Sequence, residues 1–217
     1  DRLFEGDYRE SVFVSEPVHN VIHREVLKRS GVSFESDRSD TETAREFLAS
    51  RDPWFRPTGM KTGPDGALYI ADMYRLIIEH PEWIPDDVAS AMDLRSGEDR
   101  GRIYRIYPSA RPPSTIPILA EDSSLELVNR LESSNGWVRD TAQRLLIEQG
   151  GQDEVDALRS LLMVTGSPEA MIHTLWTLDG LNSLNLEDLS QGLRSVSGEV
   201  RRNSIRLGEQ FLSDAAL

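Results

Sequence analysis

The chain contains no cysteine. Disulfides, thiolate metal sites and cysteine nucleophiles are therefore excluded, as is a haem attached through a CxxCH motif. No apolar run approaches the roughly 18 residues needed to cross a bilayer. Positive charge is scarce: 24 Lys and Arg stand against 37 Asp and Glu, a formal net charge of −13. A phosphate backbone calls for clustered Lys and Arg, so this balance argues against a nucleic-acid partner. The plainer use of an acidic surface is to keep the protein dispersed in water. No initiating Met and no secretory signal pattern are present, and Asp1 to Gly6 reads as an entry in mid-domain, so a piece of a longer protein is expected.

What is present is an ordinary globular composition over 217 residues, enough for one or two domains with real cores. The most informative stretch runs from Phe55 to Pro85. Met60 to Thr62 is a short strand candidate. Gly63-Pro64-Asp65-Gly66 is a turn: Pro64 presets φ, Asp65 tolerates turn geometry, and Gly66 takes a positive φ without steric cost. Ala67 to Met73 then alternates, with Leu68, Ile70 and Asp72 on one face and Ala67, Tyr69, Ala71 and Met73 on the other. A strand, a tight turn and a strand ending in a carboxylate is how a β-propeller blade presents a polar group at one end of a sheet.

The rest of residues 1–110 is also β in character. Ser11 to Ser15 is a strand candidate. Asn20 to Lys28 alternates, with Asn20, Ile22, Arg24 and Val26 sharing a face, and Val32 to Ser36 is expected to return beside it after Gly31. Thr41 to Ser50 has helical spacing at Ala44, Phe47 and Leu48, which predicts an inserted turn of helix. Leu76 to Arg100 reads as a long insertion with a short helix at Asp86 to Met92. Gly101 to Tyr107 is a strand, with Ile103, Arg105 and Tyr107 opposite Arg102, Tyr104 and Ile106.

Residues 111–122 read as a linker rich in proline. From 123 to 217 the period changes from 2 to 3.6. Ser123 and Glu126 make a capping box. Val138, Ala142, Leu145 and Leu146 form one apolar stripe, and Val155, Leu158, Leu161 and Leu162 another after Gly150-Gly151. Ser167-Pro168 opens a further helix. Leu186, Leu189 and Leu193, then Val200, Ser204, Leu207 and Phe211, mark the last two. The segments starting at Gly136, Pro168 and Gly198 align at offsets of 32 and 30 residues. The unit is therefore about 31 residues, two helices each, in three copies, which predicts an α-solenoid. His173 falls in the middle copy where the others carry Thr141 and Asn203, and reads as structural.

Several residues have the chemistry for a site. His19 and His23 are four apart, as in helical zinc pairs, but Asn20 stands where the helical motif has Glu. On a strand they still share a face, which keeps a metal pair open; the plainer alternative is two polar edge histidines. Asp72, Arg75, Glu79 and His80 follow one strand within nine residues. Arg offers a fork for carboxylates and His a proton carrier near neutral pH. The plainer alternative has Asp72 capping the turn, Arg75 and Glu79 pairing, and His80-Pro81 as a rigid corner. Trp54, Phe55 and Arg56 read as packing plus a surface pair.

Glu16 to Arg24, Phe47 to Pro57, Gly63 to Tyr69, Asp72 to Arg75, Ile78 to Pro85 and Gly101 to Arg105 together resemble the planctomycete-type membrane-bound dehydrogenase-like proteins. Those join a propeller similar to the quinoprotein glucose and sorbosone dehydrogenases to HEAT-type repeats. The resemblance covers nearly the whole chain, with Asp72 to Pro85 its most specific part. It implies the last blades of a β-propeller followed by a HEAT-like α-solenoid, from a secreted or periplasmic sugar or alcohol dehydrogenase. Pyrroloquinoline quinone, with calcium, is the implied cofactor and a cytochrome the acceptor; a haem c domain would lie outside these residues. A carbohydrate-like molecule is the implied ligand, and the repeats would dock a protein partner. The family's catalytic histidine lies on an early blade, so the general base is expected upstream of residue 1. Arg56, Arg75 and Asp72 are then candidates for cofactor contact, His80 and Glu79 for proton transfer, and His19 and His23 for a metal. A metal-dependent, lactonase-like propeller hydrolase and a non-catalytic scaffold remain open alternatives.

Overall fold

The computed structural model describes residues 3–31, 33–149 and 151–212. Val32, where the returning strand was expected to start, Gly150 of the expected Gly-Gly break, and residues 213–217 lie outside them. The chain divides into two compact units, 1–114 and 115–217. Among the described residues no helix is long and apolar enough to cross a membrane.

The first unit holds two antiparallel sheets. Strands β1 (Ser11–Glu16), β2 (Val21–Ser30) and β3 (Ser33–Arg38) form a meander with β2 in the centre. A two-residue strand, β4 (Leu48–Ala49), pairs with the start of β2. The alternation along β2 is realised: Ile22 and Arg24, two apart, are both buried. The second sheet contains β5 (Pro57–Thr62), β6 (Leu68–Asp72) and β7 (Arg102–Ile106), in that order. Its central strand buries Ile70 and Asp72 on one face.

The turn between β5 and β6 forms as its residues dictate. Gly66 sits at φ 87°, where only glycine is unstrained. The Gly63 N–H donates to the Ala67 carbonyl at 2.8 Å. Asp65 is buried and locks the corner: its Oδ1 accepts from the Ala67 N–H at 3.1 Å, its Oδ2 from the Tyr69 hydroxyl at 3.1 Å, and Arg105 on β7 pairs with it. Burial works against this charge, but the three donors outweigh it and hold the carboxyl below its usual range.

The expected helical turn over 41–50 is not what forms. A three-residue 3-10 turn (Asp40–Glu42) is followed by β4. Leu48 is taken by the sheet, opposite Ile22, and Phe47 packs edge-on against Phe13 at 4.8 Å. Tertiary pairing has overridden a weak local pattern. The long insertion after β6 contains a 3-10 turn at Pro81–Trp83 and a one-turn helix, α1 (Asp86–Ala89).

The second unit is helical: α2 (Ser124–Arg130), α3 (Gly136–Gln149), α4 (Gln152–Val164), α5 (Pro168–Gly180), α6 (Leu186–Leu193) and α7 (Gly198–Gly208). α2 pairs with α3, α4 with α5 and α6 with α7; α3, α5 and α7 stack in one layer, and α2, α4 and α6 in the other. Leu119, assigned above to the linker, is buried in this core. The period of the sequence reappears as hydrogen bonds. The N–H groups of Asn135, Ser167 and Ser197 each donate to a hydroxyl two residues back, on Ser133, Thr165 and Ser195. Arg139 and Arg201 each donate to a carbonyl six residues back, Ser133 and Ser195, at 2.7 and 2.8 Å. The middle copy has Met171 at this place and lacks that bond's donor.

The stripe expected on α6 is narrower than drawn. Leu189 is buried, whereas Leu186 and Leu193 are exposed. The packed side carries Gly192 instead, where a Cβ would meet Ser204 Oγ at 2.2 Å and Leu175 at 2.9 Å, so α6 lies against its neighbours without room for a side chain. Phe211 lies past α7, in a 3-10 turn. On α3 the stripe is as drawn, with Val138, Ala142, Leu145 and Leu146 buried. Leu145→Ala should therefore cost about 2–5 kcal/mol in urea unfolding followed by helix circular dichroism, and a loss below about 1 kcal/mol would contradict the register.

Candidate functional site

Asp72 ends β6 and is almost fully buried. Its Oδ1 accepts two backbone N–H bonds, from Arg56 at 2.7 Å and Tyr74 at 2.8 Å. Its Oδ2 is buried with no hydrogen-bond partner. A buried oxygen in that state carries a desolvation cost of about 1–3 kcal/mol unless something donates to it. The backbone just beyond is strained: Tyr74 has φ 50°, a conformation rare for a bulky side chain. Gly97 makes that corner possible, since a Cβ there would meet the Tyr74 carbonyl at 2.2 Å. Arg102 stacks its guanidinium over the Tyr74 ring at 3.6 Å, and Trp54 lies 5.7 Å from the same ring.

Arg56 is brought to Asp72, but its guanidinium is committed elsewhere. Nε donates to the Arg75 carbonyl at 3.0 Å and Nη2 to Leu76 at 2.9 Å; Nη1 donates to Pro17 at 2.7 Å and Val18 at 3.2 Å. The cation proposed for cofactor contact thus serves to tie the β1–β2 turn to the loop after β6. Asn20, at φ 61°, adds to the same seam by donating to the Phe55 and Pro53 carbonyls. Arg75 is half-buried and donates Nη1 to the Arg95 carbonyl at 2.6 Å.

The other candidates are not gathered here. Glu79 and His80 are exposed on the insertion, and His80 Nδ1 accepts from the Glu82 N–H, capping the 3-10 turn. The corner reading of His80-Pro81 describes what this histidine does. His19 is exposed beside Glu16, while His23 lies on β2 between Glu46 at 2.8 Å and Glu25 at 3.2 Å. The two histidines therefore answer to different carboxylates. No group of three or more His, Asp and Glu that could hold a metal ion occurs among the described residues.

Sequence reasoning missed the buried cation of the first sheet. Arg24 Nε donates to Glu42 at 3.0 Å, Nη1 to Ser11 Oγ at 3.0 Å, and Nη2 to Asp7 at 3.4 Å, with the Tyr8 ring 4.0 Å from its guanidinium. Its place beside Ile22 on an alternating face was the available signal. Its partners, 13 to 18 residues away in sequence, gave none.

A family model described as a domain of unknown function, DUF7133, matches residues 1–110, and the chain belongs to that family. No curated protein and no solved structure matches it.

Two outcomes follow from this geometry. Arg56→Lys keeps the charge but loses the fork; it should cost about 2–4 kcal/mol and speed amide exchange in residues 17–20 and 73–77. His23 has its pKa raised, chiefly by the Glu46 hydrogen bond acting against burial, with Glu25 adding to it. That stability is fully present below the unfolded value near pH 6.5 and is lost as pH rises through the folded value. His23→Gln should therefore lower the melting temperature more near pH 6 than near pH 9; an equal loss at both would leave the charge without a role.

Proposed function

We propose that the sheet unit is the ligand-facing end of a dehydrogenase-like β-propeller that oxidises a sugar or alcohol in the periplasm or outside the cell. The helix pairs form a HEAT-like stack that docks a protein partner, a cytochrome acceptor in this reading. Two consecutive three-strand meanders support the blade assignment, and hydrogen bonds recurring at 30–32 residues support the repeats. The observation that carries the functional reading is the buried, unpartnered Asp72 Oδ2 at a strand end, followed by a strained corner.

Quinone and calcium supply the oxidation in proteins of the resembled type. The residues here do not fit either group by themselves. Calcium takes six to eight oxygen ligands, and Asp72 offers one unpartnered oxygen. A polycarboxylate quinone calls for several cations, and Arg56 has spent its fork on carbonyls. What the residues fit is one edge of a polar ligand. Asp72 Oδ2 accepts a hydroxyl hydrogen bond there, and Arg75 keeps donors beyond its bond to Arg95. A hydroxyl so held is oriented by a carboxylate that two backbone N–H groups keep in place, while proton transfer falls to residues outside this cluster.

A second reading has support of its own. The commitment of Arg56 to backbone, with Glu79 and His80 exposed, suits a non-catalytic binding scaffold. The lactonase-like reading calls for a cluster of oxygen ligands, and nothing in the described residues favours it.

In the intact protein, dye-linked oxidation of sugars and alcohols with added quinone and calcium separates these readings. Asp72→Asn and Arg75→Ala should each lower turnover about tenfold or more while the melting temperature holds. Early melting with turnover retained would make both residues structural. Absence of any oxidation in the wild type, with a partner captured through the helical unit, would favour the scaffold.

A further inference from the structure

Far from Asp72, at the other end of the second sheet, a cavity of about 220 Å³ opens between the N-terminal segment with β1 and the β5–β6 hairpin. Leu68, which lines it, is four residues from Asp72 along β6, roughly 13 Å away at strand rise. The wall is largely apolar and aromatic, from Phe4, Tyr8, Phe13 and Leu68, with Arg9, Ser11 and Thr62 as its polar side chains beside the Tyr8 hydroxyl. A cavity of about 150 Å³ accepts benzene, so this one has room for a six-membered ring and one small substituent.

The wall is fixed before any ligand arrives. Tyr8 lies between Phe4, 5.7 Å away, and Phe47, 6.1 Å away, with the Arg24 guanidinium over its ring. Ser11 Oγ donates to the Asp7 carbonyl at 2.7 Å and accepts from Arg24, so its hydrogen is spent. Arg9 is the one charged residue among those described in the lining, so selection of an anion falls on it. It is exposed and has no ion pair among the described residues, in a chain whose acids outnumber its bases by 13. A single guanidinium matches a carboxylate through two parallel N–H bonds. A phosphate dianion would leave charge facing an apolar wall, which is costly without further donors.

We infer that this cavity binds a small organic carboxylate carrying a flat apolar ring, with Arg9 on the carboxylate and the ring against Tyr8, Phe13 and Leu68. The inference is independent of the dehydrogenase reading and stands or falls without it.

Benzoate is the probe, titrated calorimetrically into the 217-residue chain, with benzyl alcohol and formate as comparisons. Benzoate should saturate a single site with a Kd of about 1 mM or tighter. Benzyl alcohol and formate should each bind about tenfold more weakly, because each lacks one half of the contact. Arg9→Gln should weaken benzoate about tenfold and leave benzyl alcohol unchanged; since Arg9 is exposed, this variant keeps the fold. Leu68→Phe, which fills the floor, should abolish benzoate binding at an unchanged melting temperature. No saturation by benzoate, equal binding by Arg9→Gln, or formate binding as tight as benzoate would each overturn the assignment.

Discussion

The Arg56 fork is the contact on which the first unit's architecture turns. Four carbonyls from two loops, 17–18 and 75–76, converge on one guanidinium. Carbonyls in irregular segments have no ladder to satisfy them, and a half-buried one without a donor is a standing cost. Arg56 removes that cost for both loops at once, and Asp72 completes the joint by accepting the Arg56 and Tyr74 N–H groups. The insertion after β6 depends on this joint. Its return passes under Tyr74 at Gly97 and is fastened by Arg75 on the Arg95 carbonyl and by the Leu76 N–H on Ser96 at 3.4 Å.

The same logic explains where an acidic protein places its few cations. Arg24, Arg56 and Arg105 each close a long-range contact within the sheet unit, to Glu42, to four carbonyls and to Asp65 respectively. The carboxylates involved respond. Asp7 is held below its usual range, first by the Ser39 hydroxyl and against burial, with Arg24 helping; Glu46 is held down by Arg38 and then His23. Lowered carboxylates contribute stability above their unfolded pKa and lose it as pH falls through the folded value. His23, shifted upward, works in the opposite direction. The cluster around it is therefore most cohesive between the carboxylate and imidazole ranges, where Glu46 and Glu25 are charged and His23 is protonated.

How much of this was legible follows from which contacts are local. The Ser123 and Glu126 capping box, the Pro64 to Gly66 turn and the α3 stripe involve neighbours within a few residues, and each is found as read. The spacing of about 31 residues was legible in the matching segments at Gly136, Pro168 and Gly198, and a hydroxyl-to-amide bond recurs at the same interval. Arg56 and Arg24 were visible as residues, but their partners lie 13 to 39 residues away. Thr41 to Ser50 misled for the same reason: Leu48 belongs opposite Ile22, and no local spacing records that. Of the candidate site, strand alternation placed Asp72 at a strand end, while Arg56 and Arg75 were joined to it only through the resemblance. The spending of Arg56 on carbonyls, and the exposure of Glu79 and His80, could not.

This difference between local and distant contacts also separates the two units energetically. Among the described residues the sheet unit buries four apolar side chains fully, Ile22, Phe55, Ala67 and Ile70, while seventeen form the helical core. At about 25 cal/mol per Å² of apolar surface, the helical unit has an ample hydrophobic drive of its own. The sheet unit relies in larger measure on charge-assisted bonds that fasten loops to strand ends, such as Arg56 to carbonyls and Asp65 to Arg105. Such bonds are directional and fail together when one donor is lost. In a unit built this way, backbone donors fix the Asp72 carboxylate through Oδ1 and leave the buried Oδ2 without a partner. The price is a strained Tyr74 just past that carboxylate.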